Sequence, residues 1–311
     1  MARHELTATA KTVNWGYYCP KKKPVLTAAS GDTVVIHAEP GVRTLEGPIE
    51  KLASPELRDI VENGERDLGG HILTGPVAVQ GAMPGDVLEV RIRDVRLRYD
   101  WGFNVVRPLL GGLPEDFPHT RLVIVKLDAK AGTGDWGAGV KVPLAPFFGN
   151  FGVAPPPSMG RVPSMPPGVW GGNLDNKELG AGATVYFPVF VEGALFAAGD
   201  GHGCQGDGES CLSAIETAMT GEFELIVRKD MKLSTPRAET AAHWIFMGFD
   251  PLLDNAAKMA LRETISFLGE LKGMSRDDAY TLCSLAVDLR VTQIVNGVKG
   301  VHAMLPKALF G

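Results

Sequence analysis

The sequence predicts a mainly β fold: a β-sandwich or barrel-like body with a small C-terminal α+β part. Three observations predict it. The 38 glycines and 22 prolines lie mostly before residue 210, and such punctuation makes short strands and turns rather than long helices. Several segments alternate apolar and charged residues with a period of two, the pattern of a strand with one face on a core. After about residue 250 the apolar spacing becomes helical. The expected division is a β-rich body over 1–230 and an α+β part over 231–311 that completes the same unit.

In chain order, Val34, Val35 and Ile36 form a strand that ends at His37. Pro84-Gly85 is a turn that launches a strand from Asp86 to Val95. There Leu88, Val90 and Ile92 face a core while Glu89, Arg91 and Arg93 face water. Leu122 to Leu127 is a third strand. Residues 144 to 172, rich in Pro, Gly and Phe, read as a structured loop, because Phe147, Phe148, Phe151, Val153 and Trp170 need burial. Val185 to Ala198 reads as strand, divided by a hairpin turn at Glu192-Gly193. Phe223, Leu225 and Val227 alternate in another strand. Leu261, Ile265 and Leu268 mark a helix over 254–271. Ser275 to Asp278 is a capping box, opening a helix with Ala279, Leu282, Ala286 and Leu289 on one face. Arg290 to Val295 closes as strand.

Composition narrows the function. A net charge of −5 without a basic stripe argues against nucleic acid as a partner. No apolar run reaches the roughly 20 residues of a membrane helix, and the first residues lack the apolar core of a signal peptide. The expected compartment is the cytoplasm, where Cys19, Cys204, Cys211 and Cys283, without Cys-x-x-Cys spacing, read as free thiols.

The chemistry concentrates between Gly199 and Glu209. Asp200, His202, Asp207 and Glu209 fall within ten residues, interspersed with the five glycines that run from Gly199 to Gly208. Glycine permits positive φ and close approach to a ligand, so this run reads as a functional loop after a strand. Its wording, Gly-Asp-x-His-x-x-Gln-Gly-Asp-Gly-Glu, resembles the signature of the acetamidase/formamidase family. Further blocks follow in the family's order: Thr74-Gly-Pro76, Pro84-Gly-Asp-Val-Leu88, Gly152-Val-Ala-Pro155, Gly171-Gly-Asn-Leu-Asp175 and Leu305-Pro-Lys307. The resemblance implies a mainly β fold with a small C-terminal α/β part. It also implies an amidohydrolase that cleaves the C–N bond of small carboxamides, formamide and acetamide being the class substrates and larger amides or lactams an extension.

Amide cleavage needs an activated water, a donor for the developing oxyanion and an acid for the leaving nitrogen. A divalent ion supplies the first two. Asp200 and His202, at i and i+2 of an extended segment, point the same way and make a metal-ligand pair. His37 is the third candidate ligand. His71 is the alternative, although relatives of the resembled family more often carry Asn-Pro where this chain has His71-Ile72. The expected ion is Zn²⁺ ahead of Ca²⁺. Glu209 is the candidate general base or a further ligand. Asp175 is the second candidate catalytic carboxylate, placed to accept from the substrate's NH₂. Asn173 and Gln205 are the candidate substrate-binding amides, with an Asx-turn the competing role for the Asn173 loop. Cys204, two residues from His202, is the alternative nucleophile. The competing function is a non-catalytic β protein in which Asp200, Asp207 and Glu209 hold a structural calcium; His202 and the Cys211 at the loop's twelfth position argue against it. A homo-oligomer is expected from apolar loop residues such as Phe147-Phe148.

Overall fold

The computed structural model describes residues 1–311. The period-two segments become the strands of two large sheets. The nine-stranded sheet has the order Arg3–Thr7, Asp32–Ala38, Met219–Arg228, Val87–Leu97, Thr184–Pro188, Arg237–Glu239, His243–Asp250, Lys299–Pro306 and Asp288–Gln293. The six-stranded sheet runs Gly171–Asn173, Phe147–Gly152, Phe196–His202, Ile72–Val79 and Val13–Trp15, with Leu26–Ala28 also paired to Ile72–Val79. One core of 36 buried residues draws from both sheets and makes them a sandwich. At its centre Phe223, from the larger sheet, meets Phe148 and Phe196 of the smaller one edge-on, with centroids 5.2 and 5.4 Å apart. Each such ring stabilises the sandwich by about 1.5–3 kcal/mol through burial alone. A four-stranded sheet, Trp101–Val106 to Val140–Pro143, packs beside them.

The strands after residue 231 extend the nine-stranded sheet. Helices Leu253–Lys272 and Arg276–Ala286 cover its end through a cluster that includes Phe246, Leu268 and Leu305. Ser275 caps the second helix: its Oγ accepts from the Asp278 amide at 3.1 Å and donates to the Asp278 carboxylate at 2.6 Å. No helix is long and apolar enough to cross a membrane.

Five expectations are corrected. The segment 144–172 contains a fully buried strand, Phe147–Gly152, because its phenylalanines are core residues rather than loop anchors. Phe147 and Phe148 are therefore not available for a subunit contact. Glu192-Gly193 does turn the chain, but the strands on either side enter different sheets and do not form a hairpin. Glu89 is buried rather than solvated; Arg91 and Arg228 each hold its carboxylate at 2.6 Å. Leu289 lies beyond the last helix, in the strand Asp288–Gln293. Two helices, Gly47–Leu52 and Pro55–Asn63, stand where prolines read as punctuation. Proline is compatible with a first helical turn, and the Ser54 hydroxyl caps the second helix by accepting from Leu57 N at 2.9 Å.

Candidate active site and metal centre

The strand Phe196–His202 joins two environments. Phe196, Ala197 and Ala198 lie in the sandwich core, whereas Asp200 and His202 turn into a polar cluster. The predicted loop therefore begins later than expected, since Gly199 to His202 are strand residues. The neighbouring strand crosses with Phe147 opposite His202 and Phe148 opposite Gly201. After them, and before Asn150 pairs with Gly199, Gly149 leaves a space. A Cβ there would fall 2.6 Å from both Asp175 Oδ1 and His202 Cε1, and 2.9 Å from Asp200 Oδ2. Glycine at 149 is what lets the three side chains converge.

Asp175 reaches the cluster because its amide donates to the Gly149 carbonyl at 3.0 Å. The loop after Gly203 folds back with Glu209. That return is fixed by the C-terminal part: Gly208 N donates to Thr292 O and Ile294 N to Gly208 O, each at 3.1 Å. One ligating atom each from Asp175, Asp200 and His202 lies within 4.8 Å of the others, and the same holds for His202, Glu209 and Glu216. Asp175, Asp200 and Glu209 all have positive φ, at 45°, 59° and 46°. Non-glycine residues pay of order 1–3 kcal/mol to stay in sparsely populated backbone conformations, and such strain collects at functional sites.

His202 is oriented from behind. Gln205 Nε2 donates to the Asp175 carbonyl at 2.6 Å, which turns its Oε1 to His202 Nδ1 at 3.0 Å. Because the oxygen accepts, Nδ1 carries a proton. The other nitrogen, Nε2, faces Asp200 Oδ2 at 3.4 Å and Glu216 Oε2 at 3.3 Å. His71 Nε2 lies 3.9 Å from the same Asp200 oxygen, while its Nδ1 is hydrogen-bonded to Ser164 Oγ at 2.8 Å. Burial opposes a charge on His202, but the Glu216 and Asp200 carboxylates outweigh it and raise its pKa well above the ordinary value. Asp200 is held low, burial being overcome by His71 and His202. Burial pushes Asp175 up to about 6 and Glu209 well above the usual carboxylate range. Asp175 Oδ1 and Glu209 Oε2 are buried without a hydrogen-bond partner; Asp175 Oδ2 accepts from Asn296 Nδ2 at 2.6 Å.

These observations fit a cation. A tetrahedral ion with ligands at about 2.0–2.1 Å holds adjacent ligand atoms roughly 3.3–3.4 Å apart. The spacings around His202 Nε2 match that edge and are long for direct hydrogen bonds. The Gln205-His202 contact has the form expected behind a metal-ligating imidazole.

Asn173 opens onto the same cavity through a relay. The Tyr18 hydroxyl donates to Asn150 Oδ1 at 2.8 Å, and Asn150 Nδ2 donates to Asn173 Oδ1 at 3.0 Å. The Asn173 Nδ2 is thereby turned toward the cavity, which Asp200, Glu209, Glu216, His71 and Asn296 also line. The cavity holds about 90 Å³. That is room for a molecule of a few heavy atoms, given about 30 Å³ per liquid water.

Not every candidate arrives. His37 does not join the cluster: its ring nitrogens are engaged by Thr220 Oγ1 at 2.8 Å and Glu5 Oε1 at 2.7 Å, in the other sheet. His71 stands where a further ligand is needed. Gln205 sits beside His202 with both amide atoms occupied, Oε1 against His202 Nδ1 and Nε2 on the Asp175 carbonyl. Asp207 faces Lys177 at 3.1 Å, away from Asp200, which removes an oxygen from the calcium-loop arrangement. Burial raises the Cys204 thiol, the wrong direction for a nucleophile, although His202 pulls it down. Glu216 was not anticipated. Its signal is a lone acid inside the apolar run Ala214 to Met219, a charge that such a run buries only with a partner.

Comparison with known proteins follows the same lines. The profile of the Acetamidase/Formamidase family matches residues 17–164 and 161–311. An acetamidase of Mycolicibacterium smegmatis is 28% identical over 197 residues, 45% of this chain and 48% of that one. A formamidase of Methylophilus methylotrophus is 30% identical over 212 residues, 51% of this chain and 52% of that one. These alignments span about half the length of the curated relatives. The crystal structure of an acetamidase from Bacillus halodurans superposes with a TM-score of 0.85 at 29% identity, over 98% of each chain.

Proposed function

The chain belongs to the acetamidase/formamidase family, and from that premise we propose that it hydrolyses the C–N bond of a small carboxamide to a carboxylate and ammonia. The observation that carries this reading is a cavity of about 90 Å³ lined by Asp200, Glu209 and Glu216, with His202 and Asp175 clustered against these acids and two buried carboxylate oxygens, Asp175 Oδ1 and Glu209 Oε2, left without a partner.

Asp200, His202 and Glu216 would hold a divalent ion, with His71 closing the set, and its nitrogen and carboxylate donors suit Zn²⁺. Such an ion, when bound, polarises a carbonyl and acidifies water. The chain's own residues supply the rest. Asn173 Nδ2 donates to the carbonyl oxygen as it gains charge. Asp175 Oδ1 accepts from the substrate NH₂ and so orients the amide plane. Glu209 takes the proton of the attacking water and returns it to the leaving nitrogen. Burial favours the protonated carboxyl at Glu209, which makes it a competent donor in that second half. Gln205 keeps the His202 ring in its working orientation.

The four free cysteines suit a reducing compartment, the cytoplasm. A homo-oligomer remains part of the proposal on different residues from those first considered: Tyr280 and Leu285 of the last helix are 60% and 79% exposed. Light scattering at micromolar concentration tests it, a monomer mass being the contrary result. Ammonia release from formamide, acetamide and longer primary amides tests the reaction; a protein that releases none from any of them is not an amidase of this class.

A further inference from the structure

The mouth of the cavity carries two arginines that the amide chemistry does not use. Arg43 and Arg107 both line the cavity that holds Asp200, Glu209 and Glu216. They also line a second, larger space of about 480 Å³ directly outside it. The two spaces share Arg43, Phe103, Val105, Arg107 and Leu110, so these residues form the passage between them. Neither guanidinium has an acidic partner within 4.0 Å, the distance at which Arg98 with Glu39 and Arg290 with Glu178 are paired. The single acid lining the outer space, Glu46, is exposed and pairs with neither.

Arg107 is partly buried and within the field of both Arg43 and Glu216. Bringing a guanidinium out of water beside another cation is unfavourable unless an anion arrives to share both. Two forked donors at one opening match the planar, two-oxygen geometry of a carboxylate. The outer space is otherwise lined by apolar side chains such as Val42, Ile49 and Leu122, which suit a short methylene chain.

We propose that Arg43 and Arg107 form a carboxylate-binding subsite, and that the preferred substrate is a primary amide whose acyl chain ends in a carboxylate. The amide would lie at the acidic cluster and the carboxylate at the passage. This deepens the amidase reading and rests on it.

The test compares ω-carboxylated amides, malonamate, succinamate and glutaramate, with neutral amides of matched length. Its readout is the ratio of kcat/KM for the charged amide to that for the neutral one. This ratio is blind to product release and to a general loss of fold. The wild-type ratio is expected to exceed one for at least one chain length. Arg107→Gln is expected to lower it about 10- to 100-fold, the range for removing one charge-assisted partner. Arg107→Lys, which keeps the charge but not the fork, should fall between. If Arg107→Gln fails to fold, the more exposed Arg43→Gln reports on the same ratio. An unchanged ratio, or a wild-type preference for the neutral amide at every length, overturns the proposal. If no amide of either kind is cleaved, the amidase reading fails by itself, and calorimetric titration with succinate decides the subsite. Binding that Arg107→Gln removes supports it, whereas no binding, or equal binding by both proteins, overturns it.

Discussion

Two histidines are equally hidden from water and oppositely placed. His202 is 1% exposed and His302 is 0% exposed. Around His202 stand two carboxylates, Asp200 and Glu216, and a glutamine that holds the far side of the ring. The His302 ring has one hydrogen-bond partner, Thr292 Oγ1 at 2.7 Å from Nδ1, and Nε2 has none. Burial is the largest influence on His302, opposed by Asp207 and aided by Arg290 and Lys177, and its pKa falls to about 4, while the carboxylates reverse the effect of burial at His202. Burial does not mark a functional histidine. What marks it is the company of acids that a fold keeps only where a charge, or a cation, is to be held.

The largest expected effect lies on the acidic side of this comparison. Glu209→Gln keeps the shape of the side chain and removes its basicity. It should lower kcat by about 10²- to 10⁴-fold with the fold unchanged by circular dichroism. Retained ion content in that variant assigns Glu209 as base, and lost ion content assigns it as a ligand. Unchanged kcat with native ion content would return it to a loop residue.

Gln205→Ala should cost less, about 10- to 100-fold in metal affinity or activity, because it loosens His202 without removing it. An unaltered chelator sensitivity and rate would mean that the Gln205-His202 contact does not matter.

On the other side of the comparison, His302 predicts a stability effect with a definite sign. The folded state excludes its protonated form, whereas the unfolded chain takes up the proton near pH 6.5. The associated stability is complete above that pH and is lost as pH falls toward 4, by about 3 kcal/mol in all. Denaturant titrations of the wild type and His302→Gln should thus diverge between pH 6.5 and 4, with the wild type losing more. Parallel curves would show that this imidazole is solvated or satisfied. The smallest effect is expected at Cys204, where Cys204→Ala should keep most activity. A loss of several orders of magnitude would point to an acyl-enzyme on sulfur.

Much of the fold was legible because period-two alternation reports directly on strands such as Val87–Leu97 and Met219–Arg228. The Phe147–Gly152 strand was not, since a strand buried on both faces shows no alternation and here consists of Phe, Gly and Asn. The pair Asp200-x-His202 was legible from its spacing. Glu216 and Asn296 were not, because each enters the site through long-range packing that no local pattern encodes. His37 shows the converse error. A strand-end position suggested a ligand, but the strand Asp32–Ala38 belongs to the other sheet and presents this ring to Glu5 and Thr220. The strain at Asp175, Asp200 and Glu209 is a property of the folded backbone and was invisible in the sequence.

The proposed reaction is amide hydrolysis at the cluster around His202 with a bound divalent ion. Its most direct test is ammonia release from a small primary amide, measured on the purified protein before chelation, after exhaustive chelation and after return of one equivalent of Zn²⁺. Turnover is expected to vanish with the ion and to come back with it. Full turnover by a protein shown by elemental analysis to contain no metal would contradict it.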